Sequence, residues 1–363
     1  MILQERSEQL YIKLSRELKR FSPGKRFHTI RHIERKFGVS YRVADVTLDR
    51  LEKEGLLERR DRSGLYVRST APCRSVAFFY IDWPGGHQRF IAEQFGRALL
   101  ALGHYDFSAL PYNYQSDLIP QLEACPADLL IVSWPARSLS SQELVWLGQF
   151  SRPLVLCDLN LRDISHHCFF VNSGYVCTLA LTRFRNNGHR RIGILLAEPP
   201  FGGNWAIHHD FLTFAPLYDC VPVPIECRPE SGNFSPELAY LAMMKHLDRF
   251  GLNFTGLFVI SGYAAQGVQR ALNEHGISVP DDLSAIAFGN PESTAYFTPP
   301  LTTIADDENA MATQKADAVH RYLQNPASGP IIVESRAIVY EHQSVRNLHS
   351  TITTNPNSER NMA

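Results

Sequence analysis

The sequence predicts two unlike domains: a small helical head carrying a β-hairpin, and a larger two-lobed α/β body with doubly wound parallel sheets. Three observations predict this. Residues 28–67 pass from helical periodicity into a short basic hairpin, and from residue 75 to 345 apolar strand-like runs alternate with helix-length segments. Charge divides the same way. Residues 1–75 hold 18 Lys+Arg against 10 Asp+Glu, whereas the remaining 288 hold 18 against 27, a split hidden inside a net charge of −1. A basic head on an acidic body suggests that only the head meets a polyanion.

The length of 363 residues is too great for one small domain, and 44% hydrophobic with 20% charged residues is ordinary for a soluble globular chain. No apolar run is long enough to span a membrane, and the start MILQERSEQL lacks the apolar core of an export signal, so a cytoplasmic location is expected. Seven cysteines (73, 125, 157, 168, 177, 220 and 227) show no C-x-x-C pair and are expected as free, mostly buried thiols.

In the head, Leu10, Leu14 and Leu18 recur at i, i+4 and i+8, predicting a first helix that closes at Ser22-Pro23-Gly24. Thr29 is a suitable N-cap for a second helix with Ile30, Ile33 and Phe37 on one face and Gly38 at its end. Ser40 is expected to cap a third helix, whose inward stripe Ala44, Thr47, Leu48 and Leu51 runs to Gly55. That stripe turns Tyr41, Arg42, Asp45 and Asp49 outward. Residues 56–60 and 65–67 then pair around Asp61-Arg62-Ser63-Gly64. The order is that of a winged helix-turn-helix over residues 1–68. In it Arg42 would donate to guanine in a major groove, Tyr41 would reach phosphate or base, and Arg59, Arg60 and Arg62 would meet phosphate or the minor groove. A helical protein-interaction module with solvated charges is the alternative.

Over residues 7–68 the head resembles the GntR family of bacterial transcription factors. The resemblance rests on Ser22-Pro23-Gly24, Gly38-Val39-Ser40, residues 48–55 and the wing from Arg60 to Val67. It implies DNA contacts from His28, Thr29, Ser40, Tyr41, Arg42, Val43, Asp45, Arg59, Arg60, Arg62 and Gly64. Two departures stand out. The family usually has Pro-Ser at His28-Thr29, and Arg-Thr-Thr-Val-Arg where Tyr41-Arg42-Val43-Ala44-Asp45 stand. An Asp at a customary Arg removes a phosphate or base contact and adds repulsion, so a distinct operator is expected.

Residues 69–74 read as a linker. Strand-like runs follow at 75–82, 128–133, 153–158, 191–196, 256–261 and 283–288, separated by helix-length segments such as 88–103, 175–188 and 235–250. Ligands on such sheets bind beyond the carboxyl ends of strands, which nominates Trp83, Ser133, Trp134, Asp158, Ser261 and Tyr263. From 75 to 345 the body resembles the LacI/GalR effector domain, a relative of periplasmic sugar-binding proteins, through residues 187–192, 276–283 and 298–304. A GntR-like head on such a body resembles the arabinose-repressor type of chimera. The resemblance implies a dimer and two lobes joined by three crossovers around an effector cleft. Lobe 1 is expected at about 75–170 plus 302–325, lobe 2 at about 171–297 plus 326–345, and a disordered tail at 346–363.

Sugar-binding relatives hold hydroxyls with charged planar groups. Asp158 matches one of them, but Ile207 stands at a customary Arg, Ser261-Gly262 at Asn-Asp and Gly289-Asn290 at Asp-Asp. An ordinary free sugar is therefore not expected. Trp83, Trp134, Trp205, Tyr263 and Phe297 suggest an aromatic-lined cleft for a flatter or less polar molecule, or for a glycoside held by stacking. The histidines at 166–167 and 208–209 lack a second ligand pair at metal-binding spacing, and no G-x-S-x-G elbow or phosphate-cradling glycine loop occurs, so no metal, cofactor or catalytic residue is assigned. The expectation is a homodimeric regulator, a repressor rather than an activator, that reads palindromic double-stranded operator DNA under control of a small molecule. A ligand-independent dimeric regulator and an enzyme using the two-lobed body stay open as alternatives.

Overall fold

The computed structural model describes residues 2–18, 21, 24–60, 64–68, 74–83, 86–103, 105–135, 137–230 and 232–351. They divide into two compact units, Met1–Cys73 and Arg74–Ala363.

The first unit contains α1 (Ile2–Leu18), α2 (Ile30–Phe37), α3 (Tyr41–Lys53), β1 (Leu57–Arg60) and β2 (Gly64–Val67). Leu10 and Leu14 of α1, Ile33 of α2, and Ala44, Leu48 and Leu51 of α3 are buried together with Leu57, Leu65 and Val67 of the hairpin. Each such leucine contributes roughly 1.5–3 kcal/mol by leaving water. The stripe read from the sequence is thus the one that packs. Thr29 accepts a hydrogen bond from His32 N at 3.3 Å, and Gly38 ends α2 at φ 64°, a left-handed conformation that glycine adopts without strain. Ser40 occupies the N-cap position of α3 but makes no side-chain cap bond, so the expected cap is positional only. Deeper in, Ser7 and Thr47 hydrogen bond at 3.1 Å and join α1 to α3. In the wing Leu57 pairs with Val67 and Arg60 with Gly64.

The second unit follows the alternating pattern. Its elements are β3 (Arg74–Ile81), α4 (His87–Ala101), β4 (Tyr105–Tyr112), α5 (Ile119–Ala124), β5 (Leu129–Ser133), α6 (Ser141–Gln149), β6 (Leu154–Cys157), β7 (Cys168–Val171), α7 (Ser173–Asn186), β8 (Arg191–Leu196), α8 (Gly202–Phe214), β9 (Val221–Pro224), α9 (Ser235–Phe250), β10 (Gly256–Ile260), α10 (Gly262–Glu274), β11 (Ser284–Phe288), α11 (Pro291–Thr294), β12 (Thr302–Ala305), α12 (Glu308–Gln324), β13 (Ile332–Ser335) and β14 (Ile338–Tyr340). Two six-stranded sheets result, ordered β13-β7-β6-β5-β3-β4 and β14-β12-β11-β10-β8-β9. All pairings in them are parallel except β12 with β14. The apolar runs are continuous because each sheet is covered on both faces. In the first sheet Phe78, Ile131 and Val155 face one helical layer while Phe79, Val132 and Leu156 face the other.

The chain passes between lobes three times, after β7, after β12 and after β13. This corrects the expected partition. Residues 302–305 pair with β11 and belong to the second lobe, whereas 332–335 pair with β7 and belong to the first. The tail also differs. Arg346 N donates to Ser284 Oγ at 2.9 Å, Leu348 N donates to Asn187 O at 2.9 Å, and a short helical turn runs from Leu348 to Thr351. Backbone bonds hold 346–348 although the segment has no apolar periodicity; 352–363 lie outside the described residues, as do 69–73 of the expected linker. Arg74 already belongs to β3.

Helices α9 and α10 approach most closely at Gly267, where a Cβ would stand 1.8 Å from Pro236 O. Gly267→Ala is therefore expected to destabilise the body by about 2–3 kcal/mol, since backbone cannot yield as a side chain does. Urea unfolding of the full chain checks this, and an unchanged body transition would contradict that close approach.

Candidate functional site

The head presents one coherent outward face. Tyr41 is 58% exposed, Arg42 is exposed and Asp45 half-buried, with Asp49 one turn further along α3. Val43 points into the core at 3% exposure, which corrects its expected place among the DNA contacts. Val46, at 45% exposure on the outward face, was not singled out from the sequence, and its methyl groups suit a thymine methyl. Its periodicity could have found it, because it lies one turn beyond Arg42.

Several head charges are already engaged. Arg59 lies 3.5 Å from Asp49 and 3.3 Å from Glu52, tying the wing to α3. Arg60 lies 2.5 Å from Glu58 and covers the Tyr66 ring at 4.5 Å. His28 sits 3.3 Å from Glu17 and stacks on His32, and burial lowers its pKa, so it stays largely neutral and packs α2 against α1. Gly64 opens β2 at φ 105°. Arg62 lies outside the described residues.

In the body, a cavity of about 260 Å³ lies where the carboxyl ends of strands from both sheets converge. Of the expected residues, Trp83, Ser133, Trp134, Asp158, Ser261, Tyr263 and Asn290 line it. Three do not. Ile207 is fully buried in the second lobe's core, Phe297 packs against the other core layer of that lobe, and Trp205 is 44% exposed on α8, stacked on His208. Ile207 was nominated by its place at a customary Arg and Trp205 and Phe297 as aromatic residues, and packing turns all three away from the cavity.

Asp158, Ser261 and Asn290 have φ of 63°, 92° and 56°, and all follow strands at the cleft. Such backbone costs of order 1–3 kcal/mol and collects at binding sites, where surrounding structure holds it in place. The lobes meet around the cavity. Phe201, from the second lobe, packs against the first lobe's core, and Asn290 Nδ2 donates to His87 Nδ1 at 3.4 Å. Burial lowers the His87 pKa, consistent with a neutral ring accepting that bond.

The cleft is also more charged than the sequence suggested. Glu198, Asp306, Glu308 and Lys315 line it beside Asp158. Desolvation raises the pKa of all four carboxyls, that of Glu308 to about 7. Ser235 Oγ donates to Glu198 at 2.7 Å. Glu198 follows a strand visible in the sequence and could have been nominated by the rule that nominated Asp158. Asp306 and Glu308 follow β12, whose Thr-rich run does not read as a strand. Among the described residues no group of three or more His, Cys, Asp or Glu is placed to hold a metal ion.

Residues 6–67 match the family model of bacterial regulatory proteins, gntR family, and residues 181–344 match that of a periplasmic binding protein-like domain. The head is thus similar to gntR-family regulatory proteins, and the second lobe of the body to a periplasmic binding protein-like domain. Among curated relatives, the HTH-type transcriptional repressor PurR of Actinobacillus pleuropneumoniae is 29% identical over 203 residues, 54% of this chain and 58% of that protein. PurR of Histophilus somni is 31% identical over 117 residues, 32% of this chain and 35% of that protein. The chain thus spans little more than half the length of the first of these and about a third of the second. Its body shares the fold of a LacI family transcriptional regulator from Enterococcus faecium with bound ribose, at TM-score 0.62 and 18% identity over 76% of this chain and all of that one. The Lac repressor dimer bound to operator and the anti-inducer ONPF gives TM-score 0.62 and 18% identity over 75% of this chain and 94% of that one.

Glu308 provides a pH test of the cleft. Its folded pKa is raised from 4.5 to about 7, so its contribution is fully present below about pH 4.5 and is lost as pH rises through 7. Glu308→Gln removes that loss. Its melting temperature should exceed that of the unsubstituted chain by more at pH 8 than at pH 5, each kcal/mol of relief being worth roughly 2–4 °C. An identical gap at both pH values would contradict a desolvated Glu308.

Proposed function

We propose that the protein is a homodimeric transcription repressor whose GntR-type head binds operator DNA and whose body adjusts operator affinity through a small molecule in the interlobe cleft. The observation that carries this reading is the pairing of the two units. One has an outward helix face with Tyr41, Arg42 and Val46 beside a basic wing; the other has a cleft lined by strained strand-end residues. Named repressors among the relatives support regulation over catalysis, and a cytoplasmic site of action goes with that role. The strained, charged cleft favours a sensor over a ligand-independent scaffold. Dimerisation and a palindromic operator fit a head that reads one half-site.

Arg42 and Arg60 take different roles. Arg42, free on the major-groove face, selects sequence; Arg60, on the wing, adds charge attraction. Arg42→Ala is expected to weaken binding to the protein's own operator by about 1–3 kcal/mol with little effect on random DNA. Arg60→Ala should weaken both alike and flatten the salt dependence. Fluorescence anisotropy with both DNAs at several salt concentrations tests this, and equal losses on both DNAs for both variants would defeat it. Because Asp45 stands at a customary Arg, an ordinary GntR-family operator should bind more weakly than the protein's own site.

A further inference from the structure

The cleft is short of positive charge. Asp158, Glu198, Asp306 and Glu308 line it, and among the described residues Lys315 is the one lining side chain with a fixed positive charge. Its ammonium lies 5.5 Å over the Phe169 ring and acts on Asp158, Asp306 and Glu308 together. Asp306 Oδ1 is buried, and the neutral Ser335 hydroxyl is the hydrogen-bond donor beside its carboxyl. A carboxyl taken from water either holds its proton or draws a counter-charge, and a bound cation would restore the ionised form of this wall.

A second, independent feature of the same wall also lacks its counterpart. Trp134 is 3% exposed and lines the cleft, yet its indole N–H has no acceptor. Buried indole N–H groups ordinarily find one. Trp83, Tyr263 and Phe170 add aromatic faces to the lining, which favour a flat or cationic guest.

We propose that the cleft binds an organic cation: a small molecule with a protonated amine or amidine against Asp158, Asp306 and Glu308, an aromatic or otherwise flat body, and an oxygen or nitrogen acceptor for the Trp134 indole N–H. The assignment rests on reading the cleft as the effector site and adds the charge class of the effector. A neutral sugar supplies hydroxyl donors but leaves the carboxylates uncompensated. The cation supplies the charge that the neutral Ser335 hydroxyl beside Asp306 does not.

Calorimetric titration of the full chain tests this with matched probes: benzamidine against benzamide, tyramine against 4-ethylphenol, and ribose as a neutral sugar. Each cation should bind about tenfold or more tighter than its neutral partner, the equivalent of a one-unit pKa difference. Asp306→Asn with Glu308→Gln should abolish the preference, so that each cation binds no tighter than its neutral partner. A measurement on the unsubstituted chain guards against a misfolded variant. Glu308, facing Asp306, Asp158, Glu292, Lys315 and His87, ionises progressively through neutral pH, so benzamidine affinity should rise between about pH 6 and pH 8 while benzamide affinity stays flat. Neutral probes binding as tightly as the cations would overturn the charge class and leave the effector site standing. Failure of every probe to bind, at either pH, would overturn both.

Discussion

The body depends on one geometric constraint: two parallel sheets in one chain, with their strand carboxyl ends converging on a shared cavity. Parallel strands joined by crossover helices bring all their carboxyl ends to one edge of the sheet, where the loops that follow them can enclose a ligand. Three passages between lobes place Val171, Asp306 and Ser335 at the cavity as well. The left-handed backbone at Asp158, Ser261 and Asn290 follows from the same constraint, because the chain must turn sharply out of a buried strand where polar side chains have to face inward. Strain and desolvated charge therefore accumulate in the same place.

The head solves a different problem. Its stability comes from apolar side chains on three helices and a hairpin, and Lys36, Arg50, Arg59 and Arg60 pair with carboxylates of the same unit. Arg50 bridges Glu8 and Glu54 and lies over Tyr11, so α3 is held against α1 by charge as well as by packing. Asp49 and Glu52 hold Arg59 of the wing. These acidic residues tie α3 to the wing; on the proposed reading they would also reduce attraction to phosphate and leave Arg42 to discriminate between sequences.

Much of this was legible in sequence. The stripe Ala44, Thr47, Leu48 and Leu51 oriented α3 correctly, and the continuous apolar runs of β3, β5, β8 and β10 gave the buried strands. Edge strands were not legible. β4 contains Pro111 and β9 alternates valine with proline, a composition tolerated at sheet edges where one backbone face needs no partner. β12 lies inside its sheet, but its threonines form internal hydrogen bonds, such as Thr294 to Thr303 at 2.7 Å, and so mask its burial. Missing β12 meant missing Asp306 and Glu308. Conversely, Ile207 was assigned to the cleft by position along the chain and Phe297 by residue type, whereas the side a helix or turn buries is decided by packing.

On the proposed reading, a molecule in the cleft alters operator affinity only if the two lobe arrangements bind it unequally. That coupling is a free energy shared by both sites and must be the same measured from either. Fluorescence anisotropy of the full chain on its own operator, with and without a saturating cleft ligand identified by titration, tests it most directly. The account predicts a change in operator affinity of about 5–150-fold, and the same factor in ligand affinity when operator is saturating. A ligand that fills the cleft and leaves operator affinity unchanged would contradict it.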